Sequence, residues 1–292
     1  MASRSDPTPT PDAPAERIAS TLQSAGFVRL VPTATGDALA AAGLLSRALR
    51  GVEVPFQVRV DPLGAKPPAT DEGVLVAIGA ERPGADVTLA PSVGSAVSHR
   101  AYDVASTLAG EEPDPVLALA GVVAGGAHPG SVAGAVLDRA EAAGSVERRP
   151  GIAIPTADVV DGLAHSTLFH APVSGDPDAV RSAIGSLAAA DVGEERTGTE
   201  LASFVALAVA GDDESTPRSA DAVERALRPY ATPDGPTATV GGLADVLNAV
   251  ARERPGTAVA LALGHGGTDA ALEAWRTHAR TVHTALRASH TG

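Results

Sequence analysis

One Trp, two Tyr and four Phe serve a chain of 292 residues, and that shortage constrains everything else. Hydrophobic residues still make up 44% of the chain, most of them Ala, Val and Leu. A core can form, but it has to be assembled from many small side chains. The length suits one large or two medium domains.

The apolar residues fall into alternating strand-like and helix-like units. Phe27–Val31 is an apolar strand, the polar turn Pro32–Gly36 follows, and Asp37–Arg50 repeats Leu39, Ala42, Gly43, Leu45, Ala48 and Leu49 at helical spacing. Ala15–Ala25 reads as a short helix before it. Pro55–Val60 alternates Phe56, Val58 and Val60 against Gln57 and Arg59, as a strand does. Val74–Ile78 is an uninterrupted apolar run suited to a strand buried on both faces, and Val87–Ala90 is a further short strand. Helices are expected at Ser95–Ala109, Pro115–Val123 and Val132–Ala143. Strands alternating with helices predict an α/β fold with a parallel sheet.

A boundary is placed at Arg148-Arg149-Pro150-Gly151, which divides the chain into a tail (1–14), a first α/β domain (15–148) and a second, smaller mixed α/β domain (149–292). The tail carries Pro7, Pro9, Pro11 and Pro14 and is expected to be disordered. Beyond the boundary, strands are expected at Ile152–Ile154 and Thr257–Leu263. Helices are expected at Asp176–Ala190, Thr199–Ala210, Asp221–Leu227, Leu243–Arg252 and Asp269–Ala288, with Gly211–Ser219 an acidic loop.

The formal charge of −13, from 35 acids and 22 bases, argues against a simple basic-patch nucleic-acid binder. Lys66 is the single lysine. An acidic, Ala- and Gly-rich, lysine-poor chain fits a salt-loving archaeon, in whose cytosol a dense carboxylate surface maintains solubility. A GC-rich genome of any habitat is the alternative. The absence of cysteine excludes disulfides and thiolate zinc sites. Ser3–Pro14 lacks the apolar segment of a signal peptide, and no apolar stretch reaches the ~18 residues of a membrane span, so a cytoplasmic protein is expected.

Four short segments carry the functional expectation. They are the turn Val31-Pro32-Thr33-Ala34-Thr35-Gly36 before Asp37, the strand end Val76-Ala77-Ile78-Gly79, the pair Ala90-Pro91, and Gly121-Val122-Val123-Ala124-Gly125. Over residues 26–130 this order resembles the DHH superfamily, the RecJ-type phosphoesterases and nucleases. In that family the first loop reads His-x-Asp-x-Asp-Gly, and its side chains hold catalytic metal. Val31, Thr33 and Thr35 stand at those places here, with Gly36 retained. Ala77 takes the place of the strand-end Asp and Gly125 that of the helix-end acid. Between Gly79 and Leu89, where the Asp-His-His motif belongs, there is no His. Threonine hydroxyls are neutral and poorly replace carboxylates at two dications. Gly36 and Asp37 are read as structural, with Asp37 stabilising a helix start.

The second half resembles, more faintly, the companion domain of that family (DHHA1-like). Val240-Gly241-Gly242-Leu243 stands where a Gly-Gly-His contacts substrate phosphate, with Leu243 in the His place. Gly241 and Gly242 form a candidate anion-binding loop. A plain turn into a helix explains them equally well. His165 and His170, five apart and near Asp158 and Asp161, lack the i, i+4 spacing of a helix-borne metal pair. Gly264-His265-Gly266-Gly267 lacks the Lys-Ser/Thr of a P-loop and reads as a loop with a surface His.

The resemblance implies a catalytically inactive RecJ-like protein with no catalytic, metal or cofactor residues, serving as a scaffold in DNA replication. Its implied partners are the GINS complex and the ring helicase, with single-stranded nucleic acid a weaker candidate. The alternative is an active RecJ-like single-strand-specific exonuclease or a DHH phosphoesterase, with manganese as the cofactor in that case. A module that binds a nucleotide without turnover is a third reading.

Overall fold

The computed structural model describes residues 15–61, 73–92, 94–185, 195–210, 226–227 and 229–290. The expected tail 1–14, the acidic loop 211–219, positions 62–72 and nearly all of the expected helix 221–227 lie outside the described residues.

The sheet is built around β1 (Val28–Pro32), which pairs with β2 (Phe56–Val58) on one side and β3 (Val74–Ile78) on the other. β3 then pairs with β4 (Val87–Leu89), giving the order β2-β1-β3-β4. All three pairings are parallel, and Val31 lies opposite Ala77. Val28, Leu30, Val76 and Ile78 are completely buried, as expected for central parallel strands. The fold is the parallel-sheet α/β architecture that the alternation of elements predicts.

Helices α1 (Ala15–Gln23), α2 (Gly36–Gly51), α3 (Val97–Ala109) and α4 (Pro115–Ala124) are followed by the short α5 (Pro129–Val132) and α6 (Gly134–Ala142). Then come β5 (Glu147–Arg148), α7 (Val159–His165), α8 (Pro177–Ile184), α9 (Glu195–Ala210) and β6 (Tyr230–Ala231). Helices α10 (Val240–Glu253), α11 (Pro255–Ala262) and α12 (Thr268–His290) complete the described chain. α2 is the centre of the helical layer and touches α3, α4, α10 and α11. It is buried on every side from Gly36 to Ser46, which its small residues make feasible.

Glycines set how closely these helices approach. A methyl group on Gly43 would lie 2.6 Å from the Ala262 carbonyl oxygen. One on Gly121 would lie 2.4 Å from Ser98 Cβ and 2.8 Å from Ala40 Cβ, and one on Gly36 would lie 2.8 Å from Ala124 Cβ. The neighbouring backbone occupies the space that a large side chain would otherwise fill. This is how a chain poor in aromatics reaches a close-packed interior.

Two apolar clusters result. The larger joins the sheet and α1–α4 to Val136, Leu137 and Ala140 of α6, and also to α10, Ala258, Leu261, Ala271, Ala274 and the single Trp275. The smaller gathers Ile152, Ile154, Val159, Leu163, Phe169, Val180, Leu201 and Val205. The 148/149 division of the sequence therefore does not coincide with the division of the core, because α10, α11 and the first turns of α12 pack with the sheet body.

Two local expectations are corrected. Thr257–Leu263 is not a strand but belongs largely to helix α11, which Pro255 opens in the first helical turn. A short apolar run has no period long enough to separate the two states. Ile152–Ile154 is buried but joins no sheet; Ala153 N–H donates to Ala226 O at 2.8 Å, and Ile154 N–H turns back to Ile152 O at 3.0 Å. The antiparallel pair β5–β6, two residues long, falls on the expected boundary and was not anticipated.

Gly43→Ala is expected to destabilise the protein by about 1–3 kcal/mol, and Gly36→Val by at least as much, through overpacking. Urea denaturation at fixed salt measures both. Unchanged midpoints would mean that the helices can separate without cost.

Candidate functional site at the carboxyl edge of the sheet

Chain progress reverses at β1, since β2 is added on one side and β3 on the other. Open α/β sheets keep their ligand crevice outside the carboxyl ends of the strands at such a switch point. Here that edge comprises Thr33–Gly36 after β1, Asp61 after β2 and Gly79 after β3.

The sequence-derived positions do converge there. Val31 and Ala77 sit side by side within the sheet, both buried. Thr33 N–H donates to Ile78 O at 2.9 Å, and the Thr33 and Thr35 hydroxyls are 3.3 Å apart. Thr35 is the N-cap of α2, its Oγ1 accepting from Ala38 N–H at 3.3 Å. Gly79 has φ +91°, and a methyl there would reach 2.3 Å from Thr33 Oγ1. Gly36 and Asp37 are in the first turn of α2, and Gly36 N–H donates to Asn248 Oδ1 at 2.9 Å. The need for glycine at position 36 is close packing, not an unusual φ.

Asp37 has a use that its own helix did not suggest. It is 7% exposed and accepts from Val97 N–H at 2.9 Å and Ser98 N–H at 2.8 Å, capping the start of α3. Ala96, the N-cap residue there, makes no side-chain cap bond, so the acid is supplied from α2. Burial pushes the Asp37 pKa up, while hydrogen bonds from Ser98 and Val97 oppose that rise. Gly125 ends α4 beside it, and a Cβ there would sit 3.2 Å from Asp37 Oδ2.

An ion pair that the sequence did not reveal crosses this edge. Arg82 Nη1 meets Asp61 Oδ2 at 2.8 Å, with both side chains 9% exposed. Asp61 N–H donates to Pro32 O at 3.1 Å, which fixes the acid next to the end of β1. Arg82 comes three residues after Gly79. The pair thus ties the segment after β2 to the β3–β4 loop, across the strand between them. Among the described residues, no group of three or more His, Asp or Glu side chains is arranged to hold a metal.

Gly241 and Gly242 lie in the first turn of α10, and both are buried. Gly242 N–H donates to Thr239 Oγ1 at 2.9 Å, and a methyl there would lie 2.4 Å from Pro155. A methyl on Gly241 would lie 2.7 Å from Ala153 Cβ. The backbone of 154–155 packs against Gly242 where a side chain would stand, and the Gly242 N–H is taken up by Thr239. His265 follows helix α11, not a strand, and its Nε2 accepts from Arg50 Nη2 at 2.9 Å.

A second polar assembly joins α7, α10, α12 and the 166–175 segment. Asp245 is 1% exposed and accepts from Thr167 N–H at 2.9 Å, from the Thr167 hydroxyl, and from Trp275 Nε1–H at 2.9 Å. Burial pushes its pKa up. Asp161 accepts two bonds of 2.8 Å from Arg276 and faces His165 Nδ1 at 3.1 Å. Burial alone would raise the Asp161 pKa, but His165 and Arg276 together hold it well below the usual carboxylate range. His283 Nε2–H donates to Ser166 O at 3.0 Å, which leaves its Nδ1 as acceptor for His170 Nδ1–H at 3.1 Å. His165, His170 and His283 therefore work in hydrogen bonding within the fold.

No family model matches the chain. A curated relative, the Uncharacterized protein rrnAC1427 of Haloarcula marismortui, is 47% identical over 286 residues, covering 97% of this chain and 73% of the relative. The chain belongs to the family of that haloarchaeal protein. Its fold is similar to the crystal structure of CDC45 from Entamoeba histolytica, with a TM-score of 0.57 at 10% identity over 93% of this chain and 72% of that one. At that identity the likeness is one of fold. No described helix is long and apolar enough to cross a membrane.

Two measurements test this geometry. Gly125→Asp would place a second carboxylate against buried Asp37, so it should cost about 2–4 kcal/mol at pH 7 and less at pH 4. Gly125→Asn, uncharged and of the same shape, should not show that pH dependence. The second test concerns His283, whose pKa is lowered to about 4 by burial and then by His170, from 6.5 when unfolded. A depressed folded pKa means that its contribution is complete above pH 6.5 and lost as pH falls toward 4. Raised pKa values at Asp37 and Asp245 act with the opposite sign on acidification, so the comparison is between wild type and His283→Gln. Wild type should lose on the order of 2 kcal/mol more than the variant between pH 7 and 4.5. Parallel stability curves would remove His283 from the account.

Proposed function

We propose that this protein is a catalytically inactive RecJ-like scaffold of the DNA replication machinery, binding GINS and the ring helicase. The observation that carries this reading is the chemistry of the carboxyl edge. Thr33, Thr35, Ala77 and Gly125 offer no charge there, and Asp37 and Asp61 are committed to α3 and Arg82. A two-metal phosphoesterase centre needs charged oxygen donors and imidazoles converging on one point. The fold likeness to CDC45 supports the replication setting. On this reading residues 15–148 carry the DHH-like sheet, and 149–292 form the companion segment, whose α10–α12 complete the first core. A cytoplasmic location fits the absence of a membrane-crossing helix among the described residues.

The test uses the full chain at molar salt. Labelled single-stranded DNA and RNA should remain intact with manganese under conditions in which an active RecJ-type enzyme degrades them. Purified GINS should bind saturably. Thr33→Asp, Thr35→Asp, Ala77→Asp and Gly125→Asp combined should not restore full activity, since no His pair lies between Gly79 and Leu89. Metal-dependent products from the wild type, abolished by a change at this edge, would overturn the reading. Intact substrate without GINS binding would retain the inactive edge and remove the partner.

A further inference from the structure

The second half of α2 borders an open cavity of about 310 Å³, walled otherwise by the start of α4, the 234–236 loop, α10, α11 and the 264–268 loop. That is the lower end of the range in which proteins hold small organic ligands. Arg47 lies about 16 Å along α2 from Gly36 at the α-helical rise, so this cavity is separate from the carboxyl edge. The charged end of Arg47 is part of its wall. Nε donates to Ala262 O at 3.0 Å, Nη1 donates to Asp114 Oδ2 at 2.8 Å, and a methyl on Gly264 would sit 3.2 Å from Nη2. Asp114 and Gly264 both border the cavity, so the guanidinium is fixed in the wall between them. The Arg47 and Asp114 side chains are 32% and 31% exposed. Nη2 meets no hydrogen-bond acceptor among the described residues. Asp234, on the wall from the loop after β6, is exposed and has neither a hydrogen bond nor an ion pair to its carboxylate among them. Val116, Leu117, Pro236, Leu243 and Leu261 make up the apolar part of the wall.

We propose that this cavity is a binding site for a small primary amine that carries an acceptor oxygen beside its ammonium group and a branched apolar body, the class of leucine and its amide. The wall selects this chemistry in three ways. Its charged residues are one base, Arg47, and two acids, Asp114 and Asp234, a negative balance that favours an ammonium group and opposes phosphate. The unmatched N–H groups of Arg47 Nη2 call for an oxygen on the ligand, and a charged donor makes that bond a strong one. The aliphatic residues accommodate an aliphatic side chain. Among the described residues no aromatic ring lines the wall, so a nucleobase would find no stacking partner.

Calorimetric titration of the full chain with leucinamide and with leucine tests the site. The controls are isocaproate, which lacks the ammonium group, isoamylamine, which lacks the oxygen, and inorganic phosphate. At least one of the first two compounds should saturate, and the tighter one shows whether the oxygen is taken as an amide or as a carboxylate. Isocaproate and isoamylamine should bind about tenfold more weakly, the cost of leaving a charged hydrogen-bonding group unmatched. Asp234→Asn should weaken the tighter ligand while leaving the thermal midpoint unchanged, since Asp234 has no partner within the described fold. Val116→Trp, which places a large side chain at the wall, should abolish binding. No saturation by either compound, equal binding of the truncated analogues, or saturation by phosphate would overturn the proposal. Binding indifferent to both variants would overturn it too, because the ligand would then sit elsewhere.

Discussion

Helices that meet through Gly and Ala come so close that their polar ends are satisfied by neighbouring helices, with little room for water. Each helix start leaves N–H groups, and each helix end carbonyls, without intrahelical partners. Asp37 of α2 supplies the cap of α3. Asn248 of α10 accepts from Gly36 N–H at the start of α2 and donates to Ala124 O at the end of α4, at 2.9 and 3.2 Å. Arg47 of α2 donates to Ala262 O at the end of α11 and to Asp114, which caps α4. Small side chains permit the approach, and the approach makes these cross-helix caps necessary. A capping bond of this kind contributes about 0.5–2 kcal/mol, so the set determines which helices belong together.

The same economy shapes the carboxyl edge. Thr35 and Asp37 lie beside the switch point, and both are engaged in holding helix starts. Asp61 faces Arg82. A carboxylate with a buried cation beside it is satisfied without a metal, and separating the pair would leave two desolvated charges. The polar side chains at this edge thus serve the packing of helices and loops.

The sequence made the β1–α2 unit plain, because an apolar run, a glycine turn and a long helical period succeed one another without conflict. The parallel sheet followed from the repeated alternation. The run Thr257–Leu263 lacked such a period, and only the position of Pro255 distinguished a helix from a strand. Convergence of Val31, Thr33, Thr35, Ala77 and Gly125 was legible through the resemblance, since their spacing follows the strand–turn–helix frame. Asn248 and the Asp61–Arg82 pair were not legible, because their partners are distant in sequence or on another strand. Nothing local marks an Asn 212 residues from Gly36 as the group that receives its N–H. For the same reason the boundary at 148/149, drawn from local composition, could not show that α10 and Trp275 return to the first core.

That return explains the polar assembly around Asp245. α10 and the start of α12 are anchored in the sheet body, while the 159–171 segment contributes to the smaller cluster. The seam between them is crossed by Asp245 to Thr167, Arg276 to Asp161, and His283 to Ser166. Surface ion pairs weaken when salt screens them within a few ångströms, but buried hydrogen-bonded groups are screened far less. For a strongly acidic chain, the ties of Asp245 and His283, both buried in the seam, keep their strength in salt where surface pairs do not. Each tie also demands an aligned partner, since an unpaired buried carboxylate is far more costly than a paired one. The seam therefore fixes one arrangement of the two clusters, and any surface that spans them is presented already formed.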